Sequence, residues 1–172
     1  MKIRIAKVAD LDQLVEIYNQ SIAAGRKTAD ITPVTVDDRI SWFESHTPSQ
    51  YPIFVAQQDE TIVGYLTISA YRCGRMALKH TAEVSFYIHF EHHRKGIASD
   101  LLKYAIDKCT SLKIKTLFAI LMDTNQGSIC LLEKLGFEKW GHLPRIAEFN
   151  GIEVGHFYYG LRIKNTDKPH AV

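Results

Sequence analysis

The most constraining feature of this sequence is a strand that runs directly into a basic, glycine-containing turn and then into a helix. Residues 83–90 alternate between apolar and polar side chains, which predicts a half-buried strand. Apolar residues recur at helical spacing over residues 96–109, and residues 116–122 are nearly all apolar, as in a strand buried on both faces. A helix that links two such strands predicts a parallel pair with a right-handed crossover.

Weaker patterns on both sides of this unit predict the other elements, in the order β-α-α-β-β-β-α-β-α-β-β. The fold class is therefore α/β, of the mixed α+β kind: a single domain over residues 1–163, with helices on both faces of a mixed, mostly antiparallel sheet. A polar tail, residues 164–172, follows. The predicted helices are 9–21, 36–46, 96–109 and 128–135, and the other predicted strands are 1–7, 53–56, 62–70, 137–140 and 156–163. Asp10 is the candidate N-cap of the first helix, and Ile40, Trp42 and Phe43 are expected on the buried face of the second.

Composition excludes several classes of protein. The 172 residues include 21 Lys and Arg against 19 Asp and Glu, so a globally basic nucleic-acid binder is excluded. No apolar stretch is long enough to span a bilayer, and the first residues lack the apolar core of a signal peptide. The three cysteines form no CxxC pair, so we expect no disulfide framework or zinc site and a cytoplasmic location. Cys109 and Cys130 lie on predicted apolar helix stripes and are expected in the core.

The turn at residues 94–98 has the character of a phosphate site. The first N–H groups of a helix have no partner within the helix, and the helix dipole places partial positive charge beside them. Gly96 lets an anion approach the main chain, and Arg94 and Lys95 add positive charge. Neither GxxxxGK[ST] nor GxGxxG is present. The alternative interpretation is an ordinary strand-to-helix turn with solvated charges.

The segment Arg94-Lys95-Gly96-Ile97-Ala98 resembles the [QR]xxGx[GA] pyrophosphate loop of the GNAT superfamily of acyl-CoA-dependent N-acetyltransferases. Downstream, residues 125–137 resemble that family's N-x-x-[AS]-x-x-L-Y-E-K-x-G-F segment. Two motifs in this order are far more specific than either alone, and the likeness extends over residues 2–163. Further similarities point to the branch of phosphinothricin and methionine-sulfone or methionine-sulfoximine acetyltransferases; they are Ile17-Tyr18-Asn19, residues 39–43, Gly64-Tyr65 and residues 80–83.

The resemblance implies a GNAT-like domain whose parallel strand pair splays apart at a site for acetyl-CoA. Main-chain groups of one strand would pair with the pantetheine arm, the turn would hold the pyrophosphate, and one N–H, at Ile88, would polarise the acetyl carbonyl. It also implies a homodimer, since the family often dimerises. The implied cofactor residues are Phe86, Tyr87, Ile88, Arg94, Lys95, Gly96, Ile97, Ala98, Ser99, Asn125 and Lys134.

The sequence departs from the family pattern at several positions. His93 stands where Gln or Arg is usual, and Leu132 stands where many relatives place a Tyr that protonates the departing thiolate. Glu153-Val154-Gly155 corresponds to the Trp-x-Asp of that branch. Leu78 and Lys79 replace the more usual Tyr and Arg. These two replacements bear on the identity of the acceptor substrate.

Glu83 is the candidate base, because an acidic residue at this position in the branch is associated with the amine substrate and an amine must lose a proton before it attacks a thioester. Its alternative role is that of a solvated or salt-bridged strand-end glutamate. With Glu83, the residues assigned to the acceptor are Arg72, Met76, Ala77 and Leu78. His80 and His156 are weaker base candidates, and the cluster at residues 89–93 is expected to be solvated, with no metal.

These observations predict an enzyme, an N-acetyltransferase that moves acetyl from acetyl-CoA to the primary amine of a small amino-acid-like substrate by direct transfer in a ternary complex. No nucleic acid or membrane partner is expected. Two alternatives stay open: a protein or peptide N-acetyltransferase, and a CoA-binding sensor module without catalysis.

Overall fold

A sheet of seven strands forms the centre of the structure, a computed structural model in which residues 1–164 are described. The strand order is β1-β2-β3-β4-β5-β7-β6, and the neighbours are antiparallel except for the parallel pair β4 and β5. The predicted order of elements and the predicted parallel pair are confirmed. The elements are β1 Lys2–Ile5, α1 Leu11–Ala23, α2 Val36–Glu44, β2 Ile53–Gln58, β3 Thr61–Ala70, β4 Thr81–Ile88, α3 Ile97–Lys108, β5 Thr116–Met122, α4 Gln126–Lys134, β6 Glu138–Phe149 and β7 Ile152–Arg162.

Helices cover both faces of the sheet, and β2 shows why. Phe54 and Ala56 of β2 pack in the larger core with residues of α3 and α4, whereas Ile53 and Val55 pack in the smaller core with residues of α1. Successive side chains of a strand point to opposite faces, so a run of apolar residues predicts a strand covered on both sides. The expectation of helices on both faces is confirmed. No helix among residues 1–164 is both long and apolar enough to cross a membrane.

The last hairpin is much longer than its sequence pattern predicts. β6 and β7 have 12 and 11 residues and pair across most of their length. Most side chains of β6 are exposed, so the strand lacks the apolar alternation that reveals a half-buried strand. The overlooked signal was Asn150-Gly151, where both residues have positive φ, as in the two-residue turns that join hairpin strands.

Two predictions of local environment hold only in part. Asp10 occupies the N-cap position of α1, but its side chain accepts no hydrogen bond from that helix, because a short 3-10 turn precedes it; the carboxylate instead accepts from the Lys7 N–H (2.7 Å) and pairs with Arg4 (2.7 Å). Arg4 holds the pKa of that carboxyl below its usual range. Cys130 is exposed, because the buried stripe of the short helix α4 runs through Ile129 and Leu132; Cys109 is buried, as expected.

The second helix also lies closer to solvent than its sequence predicts. Ile40, expected on a buried face, is 42% exposed, and none of the residues of α2 is buried. Trp42 and Phe43 pack against the smaller core from outside. The helix is therefore a partial cover over this face of the sheet.

The parallel pair is short, and this shapes the site. β4 and β5 pair at Thr81 with Thr116, Ala82 with Leu117 and Glu83 with Phe118. Beyond Glu83, residues 84–88 of β4 and 119–122 of β5 have no pairing with each other. The predicted splay of this pair is thus present, and it leaves one edge of β4 open.

Candidate active site

A cavity of about 610 Å³ lies against the open edge of β4. Its walls come from the end of β4, the turn after it, the start of α3, the last turns of α1 and the start of α4. A second pocket of about 50 Å³ fills the gap between the splayed strands and shares five lining residues with the first: Lys27, Phe86, Tyr87, Asn125 and Ser128. The larger cavity is lined by Gln20, Ser21, Ala24, Lys27, Phe86, Tyr87, Ile88, Phe90, His92, His93, Arg94, Gly96, Ile97, Ala98, Ser99, Asn125, Gly127, Ser128 and Leu131.

The direction of the main-chain groups of β4 follows from its hydrogen bonds to β3. The His89 N–H donates to the Val63 carbonyl (3.0 Å), and the Tyr71 N–H donates to the Thr81 carbonyl (3.4 Å). Because main-chain groups alternate in direction along a strand, odd-numbered residues of β4 face β3. Phe86 and Ile88 therefore direct their N–H groups toward the open edge, and Tyr87 also lines the cavity.

The turn after β4 presents main chain to the cavity. Arg94 and Gly96 have φ of +61° and +83°, and Gly96 is the N-cap of α3. No side chain caps that helix end, so its first N–H groups stay available. A Cβ placed on Gly96 would meet nothing within 4 Å, so the space above this glycine is open. An open, positively polarised helix end of this kind fits a diphosphate.

Two hydrogen bonds hold the turn in place. The His93 Nε2–H donates to the Ile88 carbonyl (2.9 Å), which ties the turn back to the end of β4. The Gln20 side-chain oxygen accepts from the Phe90 N–H (3.0 Å), which ties the turn to α1. His93, a departure from the family pattern, thus replaces the usual Gln or Arg with a contact to its own strand.

The structure brings together most, though not all, of the predicted cofactor residues. Nine of them line the larger cavity: Phe86, Tyr87, Ile88, Arg94, Gly96, Ile97, Ala98, Ser99 and Asn125. Lys95 and Lys134 do not line it. The wall formed by Gln20, Ser21, Ala24 and Lys27 was not predicted from the sequence. Gln20 and Ser21 lie on α1, where their only local signal is the polar face of an amphipathic helix, and Ala24 and Lys27 lie in the irregular segment that follows it.

Glu83 lies where the parallel pairing ends, on the face of the sheet that carries α1 and α2. Its cross-strand neighbours are Ser69 on β3 and Phe118 on β5. Burial raises the pKa of its carboxyl group, and within residues 1–164 no ion pair compensates for that burial. A carboxylate with a raised pKa accepts a proton more readily, as a general base requires.

Aromatic side chains surround Phe118, the neighbour of Glu83. Tyr71 stacks on the Phe118 ring with centroids 4.8 Å apart, and Trp140 meets it edge-on at 5.1 Å. Tyr158 lies 6.4 Å away. Of the predicted acceptor residues, Arg72 reaches this wall, with its guanidinium carbon 5.8 Å from the centre of the Tyr71 ring. All four are exposed in the connection between β3 and β4 and line neither cavity; they are Arg72, Met76, Ala77 and Leu78.

The histidines near the turn form no metal site in the part of the chain that the structure describes, where no group of three potential ligands lies close together. Burial and the nearby Lys95 lower the pKa of His92. The structure also places the two weaker base candidates. Burial lowers the pKa of His156, and the His80 ring donates from Nδ1 to the Lys113 carbonyl (2.7 Å).

With this geometry in place, comparison with known proteins identifies the family. The Acetyltransferase (GNAT) family matches residues 12–137. The chain belongs to this family. It is 40% identical over 152 residues (88% of this chain and 92% of the relative) to YwnH of Bacillus subtilis, which is provisionally named a phosphinothricin acetyltransferase.

Two further comparisons bear on the branch. The chain is 28% identical to the L-methionine sulfoximine/L-methionine sulfone acetyltransferase of Salmonella typhimurium, over 99% of both chains. The crystal structure of a phosphinothricin acetyltransferase from Sinorhizobium meliloti in complex with acetyl-CoA superposes with a TM-score of 0.88 at 29% identity, over 94% of this chain and 88% of the other. The resemblance to this branch and the GNAT-like fold are confirmed, and the chain is an acyl-CoA-dependent N-acetyltransferase by family.

The structure explains one departure from the branch pattern. A Cβ at Gly155 would lie 2.5 Å from both the Asp123 carboxylate and the His142 ring, so no larger residue fits there. Asp123 accepts hydrogen bonds from the Gly155 N–H (3.0 Å) and from His142 (3.1 Å). The carboxylate thus reaches from the end of β5 into the space beside position 155, where the branch has its aspartate.

Leu132, the other notable departure, lies on α4 with 1% of its surface exposed and lines the pocket between the splayed strands. An apolar side chain therefore stands at the end of this gap.

Proposed function

We propose that this chain transfers the acetyl group of acetyl-CoA to the primary amine of a small amino-acid-like substrate, by direct transfer in a ternary complex. One observation carries the proposal: the cavity follows the open edge of β4 to a gap between the splayed strands, and Glu83 lies where that gap begins. The names of the relatives, which specify phosphinothricin and methionine derivatives, support an amino-acid-like acceptor.

In this proposal the larger cavity holds the cofactor. The N–H groups at the start of α3, residues 97–99, would bind the pyrophosphate together with Arg94 and, more peripherally, Lys95. Ile88, and Phe86 beyond it toward the gap, would pair with the pantetheine arm as a neighbouring strand does. Asn125 and Lys134 would meet the outer parts of the cofactor.

The chemistry needs one proton acceptor and one polarising donor. Glu83 takes a proton from the acceptor ammonium, directly or through water, and the freed amine attacks the acetyl carbonyl. The Phe86 N–H, which faces the gap, would stabilise the negative charge that develops on the carbonyl oxygen; the predicted donor, the Ile88 N–H, lies nearer the turn and does not line the gap. The carbon–sulfur bond then breaks, and CoA leaves as a thiolate that takes up the proton released from the new amide nitrogen.

The cysteines favour direct transfer over an acyl-enzyme. Burial raises the pKa of Cys109 to about 12, so this thiol is not a nucleophile at neutral pH. Cys73 and Cys130 are exposed and line neither cavity.

Two other functions have support from single observations. The exposed connection that carries Arg72 and Met76–Leu78 favours a peptide or protein amine, which needs an open approach. The apolar Leu132 favours a CoA-binding sensor without turnover. A cytoplasmic location and a homodimer stay predictions, the latter testable by light scattering after size exclusion.

The test is a free-thiol release assay with acetyl-CoA and a panel of amines: amino acids, their sulfone and sulfoximine analogues, polyamines and peptides. Acetyl-CoA without amine measures background hydrolysis. We expect turnover with amino acids or their analogues. Turnover with peptides alone would replace the proposed substrate, and calorimetric binding of acetyl-CoA with no turnover across the panel would favour the sensor.

A further inference from the structure

Beside Glu83 the structure places a serine and a histidine that the proposed mechanism does not use. Ser69 is the cross-strand partner of Glu83, so the two side chains lie on the same face of the sheet with Cβ atoms about 5 Å apart. His46, just after α2, covers this point, and its Nε2 lies 3.0 Å from the Ser69 hydroxyl oxygen. The three side chains come from α2, β3 and β4, and they meet at the acceptor side of the gap.

The hydrogen bonds of His46 determine which way the serine proton points. His46 Nδ1 lies 2.7 Å from the Trp42 carbonyl oxygen, and a carbonyl only accepts, so Nδ1 carries the hydrogen. Burial lowers the pKa of His46, which keeps the imidazole neutral at pH 7. Nε2 of a neutral ring with its hydrogen on Nδ1 only accepts, so the Ser69 O–H donates to it.

The serine therefore has only lone pairs left for the side where Glu83 lies. An ionised Glu83 carboxylate also only accepts hydrogen bonds, and it makes none with the side chains that the structure describes. Two acceptors that face each other are favourable only when a donor lies between them. A primary ammonium, with three N–H donors, is a group of this kind.

We propose that Ser69 Oγ and the Glu83 carboxylate together hold the ammonium of the acceptor, and that His46 is a positioning residue that orients the Ser69 hydroxyl. This inference rests on the proposed function and deepens it, since it assigns the atoms that recognise the amine. One N–H bond of the ammonium breaks as its proton passes to Glu83. This transfer leaves the nitrogen lone pair directed at Glu83. Inversion at nitrogen then turns the lone pair toward the thioester in the gap, while a second N–H stays on Ser69 Oγ.

The arrangement also predicts how acid affects the amine. Protonated His46 would donate from Nε2 to Ser69, which would free the serine O–H to bond with Glu83 and exclude the ammonium. The other ionisable groups on this face are Tyr65, Tyr87, Tyr18, Asp30 and Arg39. Burial raises the pKa of each tyrosine, and Asp30 is paired with Arg39, so none of them competes with Ser69 and Glu83 for the ammonium. Binding of the amine should weaken as His46 becomes protonated.

The test measures KM for the amine identified in the thiol-release assay, together with the calorimetric Kd of acetyl-CoA. Ser69→Ala should raise the amine KM about tenfold or more, the scale of one lost hydrogen bond to a charged group, with an unchanged Kd for acetyl-CoA. His46→Phe keeps an aromatic ring at this position but removes the acceptor nitrogen, so it should also raise the KM of the amine. The double variant should be no worse than Ser69→Ala, because His46 acts through Ser69.

Two variants serve as matched controls. Ser45→Ala removes a hydroxyl that also donates to the Trp42 carbonyl and lies 3.4 Å from His46 Nδ1. It leaves the contact between His46 Nε2 and Ser69 in place, so KM should not change. Ser69→Thr retains the hydroxyl and should recover most of the amine affinity. A wild-type KM in Ser69→Ala, or additive effects in the double variant, overturns this inference while the proposed function stands. Failure of the wild type to acetylate any amine overturns both.

Discussion

The cofactor cavity and the acceptor face lie on either side of the same strand, yet they are built in different ways. The cavity uses main-chain groups at the end of β4 and in the turn that follows, within the continuous stretch 86–99. The acceptor face uses side chains that the fold collects from distant places: His46, Ser69, Glu83 and Phe118. The first is therefore insensitive to most side-chain changes, whereas the second depends on individual side chains.

This difference has a consequence for substitution. In the cavity, the sensitive positions are those where a side chain would fill the space that main chain needs to keep open. On the acceptor face, individual polar side chains bind the amine or take its proton. A change of one functional group there should alter kcat or the KM of the amine without altering the Kd of acetyl-CoA. The variants below test this separation, in order of decreasing effect.

Gly96→Glu should have the largest effect. It places a carboxylate in the open space above the start of α3, where the diphosphate would lie. Two like charges about 4 Å apart at an effective dielectric constant of 20 repel by about 4 kcal/mol, which is on the order of 10³ in Kd. Calorimetry with acetyl-CoA measures the loss.

Gly151→Glu is the matched control for backbone strain. Gly151 has φ of +81° against +83° for Gly96, and a Cβ there also meets nothing within 4 Å, but the residue lies in the distant turn between β6 and β7. It should bind acetyl-CoA with wild-type affinity. Equal losses in the two variants would mean that strain, and not the cavity, explains the result.

Glu83→Gln should come next, with kcat lowered by about 10²-fold or more and the Kd of acetyl-CoA unchanged. Because burial raises the pKa of Glu83, the acid limb of the wild-type rate profile should lie above the usual range of a carboxyl group, with activity lost as pH falls through it. The variant should lack this limb. Full activity with the wild-type profile would leave Glu83 as a structural residue.

The same raised pKa predicts a change in stability with a definite sign. The folded chain binds the Glu83 proton more tightly than the unfolded chain, so wild-type stability falls as pH rises from the usual carboxyl pKa through the raised one. Glu83→Gln removes this loss. Its Tm should exceed that of the wild type at pH 7 and approach it at pH 4.

The two regions also differ in how much of them could be predicted from sequence. The cavity was predictable at Gly96 and its neighbours, because strand, turn and helix follow one another and local rules apply to each. The pairing of Ser69 with His46 was not, because it depends on how α2 packs on β3, 23 residues away. Lys27 and Gln20 were missed for a related reason: a polar side chain that faces a cavity looks like one that faces water.

The same contrast between local patterns and contacts made only in the folded chain explains the errors in the predicted elements. β5 was predictable because nearly all its residues are apolar, and the helix-linked parallel pair followed from it. β6 was predicted too short because its exposed residues carry no periodic signal. Aspartate is a common N-cap residue, but the Asp10 carboxylate pairs with Arg4 of β1 and does not bond the helix. Only the folded chain brings Arg4 and Asp10 together.

Arg94→Ala should have a smaller effect, since it removes one partly solvated contact from a site that main-chain groups also hold. We expect acetyl-CoA binding to weaken by about 1–2 kcal/mol, roughly 5- to 30-fold in Kd. Lys95→Ala is the matched control: the residue is adjacent and has the same charge, but it does not line the cavity. Its effect should be under threefold at 0.15 M salt, where distant charges are screened. A larger loss from Lys95→Ala would reassign the phosphate contact.

Leu132→Tyr should have the smallest effect on turnover, although it restores the residue that many relatives use as an acid. CoA leaves as a thiolate, and a thiol has a pKa near 8.5, so departure at neutral pH does not require a proton donor. Leu132 is 1% exposed and lines the gap of about 50 Å³, so a larger ring has to displace its neighbours at a cost of about 1–3 kcal/mol in stability. We expect an active wild type, a change in kcat below about tenfold and a lower Tm. If instead the wild type is inactive and Leu132→Tyr is active, the acceptor face is intact and only the proton donor to the departing thiolate is missing.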